Sequence, residues 1–266
     1  MESIGCGLEG LGEMTISRLI EVRTGKAVSF GNGKVASAIN KIPRNGPVLV
    51  RRLGLEGDEQ ADHRFHGGSD KAVLHYGADN YDVWRSEDPE FPELFVPGAF
   101  GENFVSHGLD ETNVCLGDVF RIGAVEVEVS QPRQPCFKLN LRFLQADMSR
   151  RVQTTGRTGW YYRVLSEGEV AAGDAIALVD RPYADWTLRR VQHHLYVKTQ
   201  DQAAIERLVR LPVLSESMRK LFEMRIASKA TEQWDARLTG AGVTDPGEDV
   251  HAGITAIAST STMKSG

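Results

Sequence analysis

Strict alternation of apolar and charged residues is the feature that most constrains the fold of this chain. Valines alternate with glutamates from Val125 to Val129, and a period of two places the valines on one face of a β-strand. Further short apolar or alternating runs are separated by Gly, Pro, Asn and Asp; they are Met14–Val22, Val48–Leu53, Lys71–Tyr76, Val119–Ile122 and Ala175–Val179. The first two-thirds of the chain is therefore predicted to be mainly β, with one short helix over Ala78–Glu87.

A glycine-rich segment near the N-terminus resembles a nucleotide-binding pattern but favours a turn. Residues Gly31–Ala36 match G-x-G-x-x-A, yet Asn32-Gly33 is a strong hairpin signal, and Pro43 would interrupt a following helix. We expect a hairpin here.

The hydrophobic period changes after Arg181-Pro182, where apolar residues recur at helical spacing. The three stripes are Leu188, Val191 and Leu195; Ala204, Ile205, Leu208 and Val209; and Met218, Leu221, Phe222 and Ile226. Thr199 and Gln202 fit a capping box at the start of the second helix. The predicted organisation is a lead (1–15), a β domain (16–182), a three-helix unit (183–238) and a Gly-, Ser- and Thr-rich tail (239–266).

Composition narrows the class of protein. With 31 Lys and Arg against 36 Asp and Glu, the net charge is −5, which argues against a nucleic-acid binder. No apolar run reaches the ~18 residues of a membrane span. Three widely spaced cysteines and no recognisable signal peptide indicate a reduced, cytoplasmic protein. Without C-x-x-C, neither a zinc ribbon nor a four-cysteine iron–sulfur cluster is expected.

Cys136 is the candidate reactive residue. It follows two prolines, and Arg133 and Lys138 flank it; nearby cations stabilise a thiolate, which is a soft metal ligand and a nucleophile. A buried cysteine after a proline turn remains the alternative. Cys115 and Cys6 are interpreted as a core thiol and a terminal thiol without a role.

Two further segments are rich in polar residues between glycines. In the first, Gly67-Gly68 would let backbone amides approach a ligand, and Lys71, Val73 and His75 would share one face of a strand. In the second, Glu102-Asn103 could line a pocket. Ordinary polar loops remain the alternative for both.

Taken in order, these segments resemble the YiiM-type MOSC domain proteins; MOSC names the domain at the C-terminus of molybdenum cofactor sulfurase. The matching motifs are His66-Gly67-Gly68-x-Asp70-Lys71-Ala72-Val73, Pro97-Gly98-x-Phe100-Gly101-Glu102-Asn103, Gly117-Asp118-x-Phe120 and Gln131-Pro132-Arg133-Gln134-Pro135-Cys136-x-Lys138-Leu139. The helical unit is similar to the three-helix extension of this type.

The resemblance implies a β-barrel-like fold and a molybdenum cofactor (molybdopterin-type), with Cys136 ligating molybdenum; pyridoxal phosphate is not expected. It also implies two-electron reduction of N-hydroxylated compounds, such as hydroxylaminopurine-type bases, to amines. Cofactor contacts are expected from Lys71, Arg133 and the Gly67-Gly68 turn, with Glu102 and Asn103 nearby. His66 is the first candidate proton donor, ahead of His75 and Glu102.

No electron-carrying motif occurs in the chain, so a separate reductase is expected to supply electrons, docked on the helical unit. Two other functions stay open. One is a sulfur carrier with a persulfide on Cys136, and the other is a cofactor-binding module without turnover. Metal analysis distinguishes a sulfur carrier from a molybdenum enzyme, and an activity assay distinguishes a cofactor-binding module without turnover from that enzyme.

Overall fold

The computed structural model describes residues 14–33, 35–61 and 67–241. Its strands are β1 (Met14–Thr24), β2 (Val28–Phe30), β3 (Val35–Ser37), β4 (Ile42–Pro43), β5 (Val48–Arg51), β6 (Gly54–Leu55), β7 (Val73–Gly77), β8 (Phe104–Ser106), β9 (Val119–Ile122), β10 (Val125–Pro132), β11 (Trp160–Ser166), β12 (Gly168–Val170) and β13 (Ala175–Asp180). Its α-helices are α1 (Asp79–Glu87), α2 (Lys138–Phe143), α3 (Met148–Thr155), α4 (Leu188–Tyr196), α5 (Gln202–Val209), α6 (Glu216–Ser228) and α7 (Asp235–Thr239).

Seven strands close into a barrel in the order β13-β9-β10-β11-β7-β8-β1, because β1 also pairs with β13. All pairs are antiparallel except β7–β8. The alternation predicted for β10 is confirmed: Val125, Val127 and Val129 are buried in the barrel core, whereas Glu126 and Glu128 are half-buried on its outside. The mainly β prediction is therefore correct.

The β2–β3 connection is the hairpin that the sequence predicts. The two strands pair antiparallel, and Gly31, Asn32 and Gly33 all have positive φ angles of 62°, 60° and 81°. Asn and Gly tolerate this left-handed region best, so this short turn suits its sequence.

A second core of aromatic side chains covers part of the outside of the barrel. It includes Tyr76, Trp84 and Phe100 together with residues of two helices that the sequence analysis did not predict, α2 and α3. These helices follow Cys136 directly, so their packing sets the position of the segment that carries the thiol.

The three helices predicted from the apolar stripes are present as α4, α5 and α6. Their stripes share one core with Leu116 and Trp186, except for Leu188, which packs in the barrel core. The predicted cap at Thr199 is wrong: Asp201 caps α5, where its side chain accepts from the Ala204 amide. Its carboxylate lies directly before the helix and reaches the free amides of the first turn.

A fourth short helix, α7, follows the three-helix unit and packs near α3. Among the residues that the structure describes, no helix has both the length and the apolar character needed to cross a membrane.

Candidate functional site

An open cleft lies on the outer face of β7 and β11. Leu74 and Tyr161 pair directly across these two strands and form its floor, since their neighbours Val73 and Tyr162 belong to the barrel core. The volume of the cleft is about 610 Å³, including the solvent-filled space at its open mouth. Its described lining residues are Ser37, Ala38, Ile39, Lys41, Asp58, Glu59, Gln60, Ala61, Lys71, Leu74, Phe100, Gly101, Asn103, Arg133, Cys136, Lys138 and Tyr161.

Cys136 and Arg133 lie together in this cleft, in the segment between β10 and α2. Cys136 is a buried free thiol. The Arg133 backbone amide donates to the Gly159 carbonyl at 2.9 Å, which fixes the segment to the barrel. Nη1 of Arg133 is buried and has no hydrogen-bond partner in the part of the chain that the structure describes. Arg142, Arg157 and Arg237 also have such nitrogens, but none of these three is among the described lining residues of the cleft. The unpaired donor of Arg133 lies at the cleft, where it favours a ligand.

Tyr161 reports how close these groups are. Burial raises the pKa of its phenol most, and the Cys136 thiol raises that pKa further, whereas a hydrogen bond from Arg133 lowers it. The phenol therefore lies close to both the guanidinium and the thiol at the floor of the cleft.

The described lining carries more positive than negative charge. Lys41, Lys71, Arg133 and Lys138 are basic, against the carboxylates of Asp58 and Glu59. Asp58 already pairs with Lys41, with 2.6 Å between Nζ and Oδ2, and Glu59 pairs with Lys26. The positive charges that Arg133 and Lys138 add to the described lining favour an anionic ligand.

Two of the predicted pocket residues have different roles. Asn103 lines the cleft: its Oδ1 accepts from the Leu74 amide at 3.1 Å, and its Nδ2 donates to Asp58 at 2.9 Å. Glu102 is fully buried and is not among the described lining residues. It accepts from the Tyr81 hydroxyl and from the Phe100 amide at 3.1 Å, so it shapes the adjacent turn.

His75 is enclosed in the barrel and does not face the cleft. Its ring nitrogens lie 3.0 Å from the Tyr162 hydroxyl and 2.8 Å from the Ser106 hydroxyl. Burial lowers its pKa to about 3, so it stays neutral near pH 7 and cannot supply a proton to the cleft. The expectation that Lys71 shares its strand face is wrong as well, because Lys71 ends a 3₁₀ turn before β7 begins.

His66 and Cys6 lie outside the described residues. Gly68 precedes the 3₁₀ turn with a φ angle of 93°, and a Cβ there would contact nothing within 4 Å. Neither Gly67 nor Gly68 is among the described residues that line the cleft.

Sequence reasoning did not single out several lining residues, among them Lys41, Asp58 and Tyr161. Tyr161 could have been found from the alternation in Trp160-Tyr161-Tyr162, which turns the middle ring away from the barrel core. Lys41 and Asp58 carry no local signal, because they come from loops that only the fold brings together. In the described ranges, no group of three or more His, Cys, Asp or Glu side chains is arranged to hold a metal ion.

Comparisons with known proteins agree with this architecture. Residues 62–177 match the MOSC domain, and residues 186–229 match the YiiM-like, 3-alpha helix domain. A closed barrel with a thiol-bearing cleft and a helical extension thus defines a MOSC domain protein. More narrowly, the chain belongs to the YiiM family.

The relatives and solved structures that support this assignment cover most of the chain. Protein YiiM of Escherichia coli is 41% identical over 221 residues, which are 83% of this chain and 98% of that protein. Its crystal structure superposes with a TM-score of 0.71 at 36% identity, covering 83% of this chain and 98% of that one. The crystal structure of YiiM from Geobacillus stearothermophilus gives a TM-score of 0.67 at 32% identity, covering 79% and 99%.

A fungal relative is longer. A protein named reductase from Gibberella moniliformis is 40% identical over 197 residues, which are 73% of this chain. This chain spans 35% of that reductase. MOSC domains are associated with molybdenum cofactor binding.

Proposed function

We propose that this protein is a molybdenum-cofactor-dependent reductase that converts N-hydroxylated compounds, such as hydroxylaminopurine-type bases, to amines. The observation that carries the proposal is that one cleft contains both a free thiol, Cys136, and a buried guanidinium nitrogen of Arg133 that has no hydrogen-bond partner among the described residues. A thiolate is a soft metal ligand, and the guanidinium suits a phosphate oxygen.

The residues of the cleft fit a pterin cofactor that carries a phosphate. Cys136 would hold the metal, while Arg133, Lys71 and Lys138 would bind the anionic part. Lys138 Nζ donates to the Ala36 carbonyl at 3.0 Å, which places its ammonium at the wall of the cleft. A bound molybdenum cofactor would supply the two-electron redox chemistry that the reduction needs.

The reaction needs protons that the protein can provide. Conversion of R–NHOH to R–NH2 consumes two electrons and two protons and releases one water. His66 lies outside the described residues and remains the first candidate donor. Among the described residues that line the cleft, Lys41 Nζ is our candidate donor. Burial lowers the pKa of Lys41, although the nearby Asp58 opposes this shift. A lysine with a lowered pKa donates a proton more readily near pH 7, and Asp58 would hold its ammonium in place.

We also infer that electrons come from a separate reductase. No electron-carrying motif was found in the sequence. The fungal relative named reductase is much longer than its matched part, so in that protein this domain is joined to further chain. The substrate, by contrast, is a small molecule that enters the open cleft.

The test is expression in a host that makes molybdenum cofactor, with Cys136→Ser and Cys115→Ser as a matched pair. We expect molybdenum and hydroxylaminopurine reduction in the parent and in Cys115→Ser, and loss of one or both in Cys136→Ser without a change in melting temperature, because a hydroxyl is a poor soft-metal ligand. Full activity of Cys136→Ser would contradict the proposal.

Two other results would assign a different function. Molybdenum without turnover, even with a small-molecule reductant, would indicate a binding module. An extra sulfur atom on Cys136 by intact mass, without molybdenum, would indicate a sulfur carrier.

A further inference from the structure

The short helix α7 holds the segment that follows the cleft cysteine. The Phe137 amide donates to the Arg237 carbonyl at 2.8 Å. Asn140 Nδ2 and the buried Ser149 hydroxyl both donate to the Leu238 carbonyl, at 2.8 and 2.7 Å. Three bonds therefore join the end of the helical region to α2 and α3.

The start of α6 holds the other two segments of the cleft. The Glu216 amide donates to Asp70 at 2.9 Å, and Asp70 directly precedes the cleft lysine. The Ser217 hydroxyl donates to Gln131 at 3.2 Å, and Gln131 lies two residues before the cleft arginine. The chain segments that bring Lys71, Arg133 and the thiol to the cleft are thus bonded to α6 or α7.

Gly240 shows how tightly α7 packs against the cysteine segment. Its φ angle is +73°, and a Cβ on it would lie 2.8 Å from Cδ2 and 2.9 Å from Cγ of the Phe137 ring. Phe137 is the residue after Cys136, so a side chain at this glycine would push directly on the segment that carries the thiol.

We propose that α6 and α7 act as a clamp that positions Cys136, Arg133 and Lys71 in the cleft. The three-helix unit is then a positioning element, and its contacts matter whether or not a reductase also docks on it. This inference rests on the proposed function for the identity of the ligand, but the position of the thiol can be measured without any ligand.

The experiment compares Gly240→Ala with Gly108→Ala. Both glycines have a φ angle of +73°, and a Cβ at Gly108 would meet nothing within 4 Å, so both variants carry the same backbone strain and only Gly240→Ala also displaces Phe137. The full chain is purified without cofactor, and the alkylation rate of Cys136 is measured by peptide mass spectrometry, with buried Cys115 as the internal reference. A second pair, Ser149→Ala and Ser106→Ala, removes one buried hydroxyl near α7 and one in the barrel.

We expect Cys136 to be alkylated at least about fivefold faster in Gly240→Ala, and several-fold faster in Ser149→Ala, because each loses interactions that keep the segment closed. Gly108→Ala and Ser106→Ala lower the melting temperature without accelerating Cys136. A rise of less than twofold in both clamp variants, or an equal rise in the two controls, overturns the clamp.

The same variants, expressed in a cofactor-producing host, are then assayed for molybdenum content, which we expect to fall in the clamp variants only. If alkylation responds as expected but the parent holds no molybdenum, the clamp stands and the proposed function fails. If the parent holds molybdenum and the alkylation rate does not change in the clamp variants, the clamp fails and the proposed function stands.

Discussion

Replacing Arg133 by Met should have opposite effects on the free and the loaded protein. In the cofactor-free protein, the buried Nη1 without a partner costs about 1–3 kcal/mol. Met is of similar size and removes that cost. The loss of the hydrogen bond to Tyr161 destabilises the fold by about 1 kcal/mol and so offsets part of the gain. The melting temperature should therefore stay constant or rise by a few degrees, at roughly 2–4 °C per kcal/mol for a domain of about this size.

Cofactor retention should fall in the same variant, because a charge-assisted contact to a phosphate is worth roughly 1.5–3 kcal/mol, or about 10- to 150-fold in affinity. Thermal unfolding of cofactor-free protein and molybdenum content of loaded protein measure the two effects. Arg181→Met is the control. Arg181 pairs with the fully buried Asp118, and neither residue is among the described lining residues of the cleft. Its loss should therefore destabilise the fold and leave cofactor retention unchanged. A melting temperature that drops by more than about 3 °C in Arg133→Met, or normal retention, would refute the reasoning.

Three further outcomes are expected. Lys71→Ala should reduce molybdenum content without lowering the melting temperature; equal effects on both would make Lys71 part of the scaffold. Because of His75 alone, the free energy of unfolding should fall by about 1.4 kcal/mol per pH unit below pH 6.5, since the unfolded chain binds the proton of this residue near pH 6.5 and the folded chain only near pH 3. Urea unfolding of His75→Gln should lack this contribution. An unchanged dependence of the unfolding free energy on pH in this variant would contradict the prediction. Burial and the nearby Asp118 raise the pKa of Cys115, so native protein at pH 8 should alkylate at Cys115 far more slowly than unfolded protein, and comparable rates would disprove this.

Much of the barrel follows from local pattern. The alternation of Val125–Val129 fixes which side chains enter the core, and the turn at Asn32-Gly33 fixes a hairpin. The α2 and α3 helices could not be predicted in this way, because α3 is mostly polar and contacts with the distant aromatic core hold both helices. These contacts come from Leu139 and Phe143 of α2 and from Met148 and Val152 of α3. Tertiary packing, not a local period, makes these segments helical.

The candidate site divides in the same way. Cys136, Arg133 and Lys71 stand out by residue type and motif, and the fold brings them to one cleft. Glu102 belongs to the same motif, but its hydrogen bonds to Tyr81 and to turn amides depend on the folded chain and make it a support for the cleft wall. That a residue belongs to a motif therefore predicts its position near the cleft better than it predicts its chemical role.

The pairing of the first strand with the last has a consequence for biosynthesis. Because Met14 lies opposite Leu178, the barrel cannot close on the ribosome until β13 has emerged, and the helices that follow emerge later still. Until then β1 keeps an unpaired edge, which invites pairing with other chains. Contacts so distant in sequence also make folding slow. The bonds from α6 and α7 to the cleft segments can therefore form only after all the barrel strands have been made.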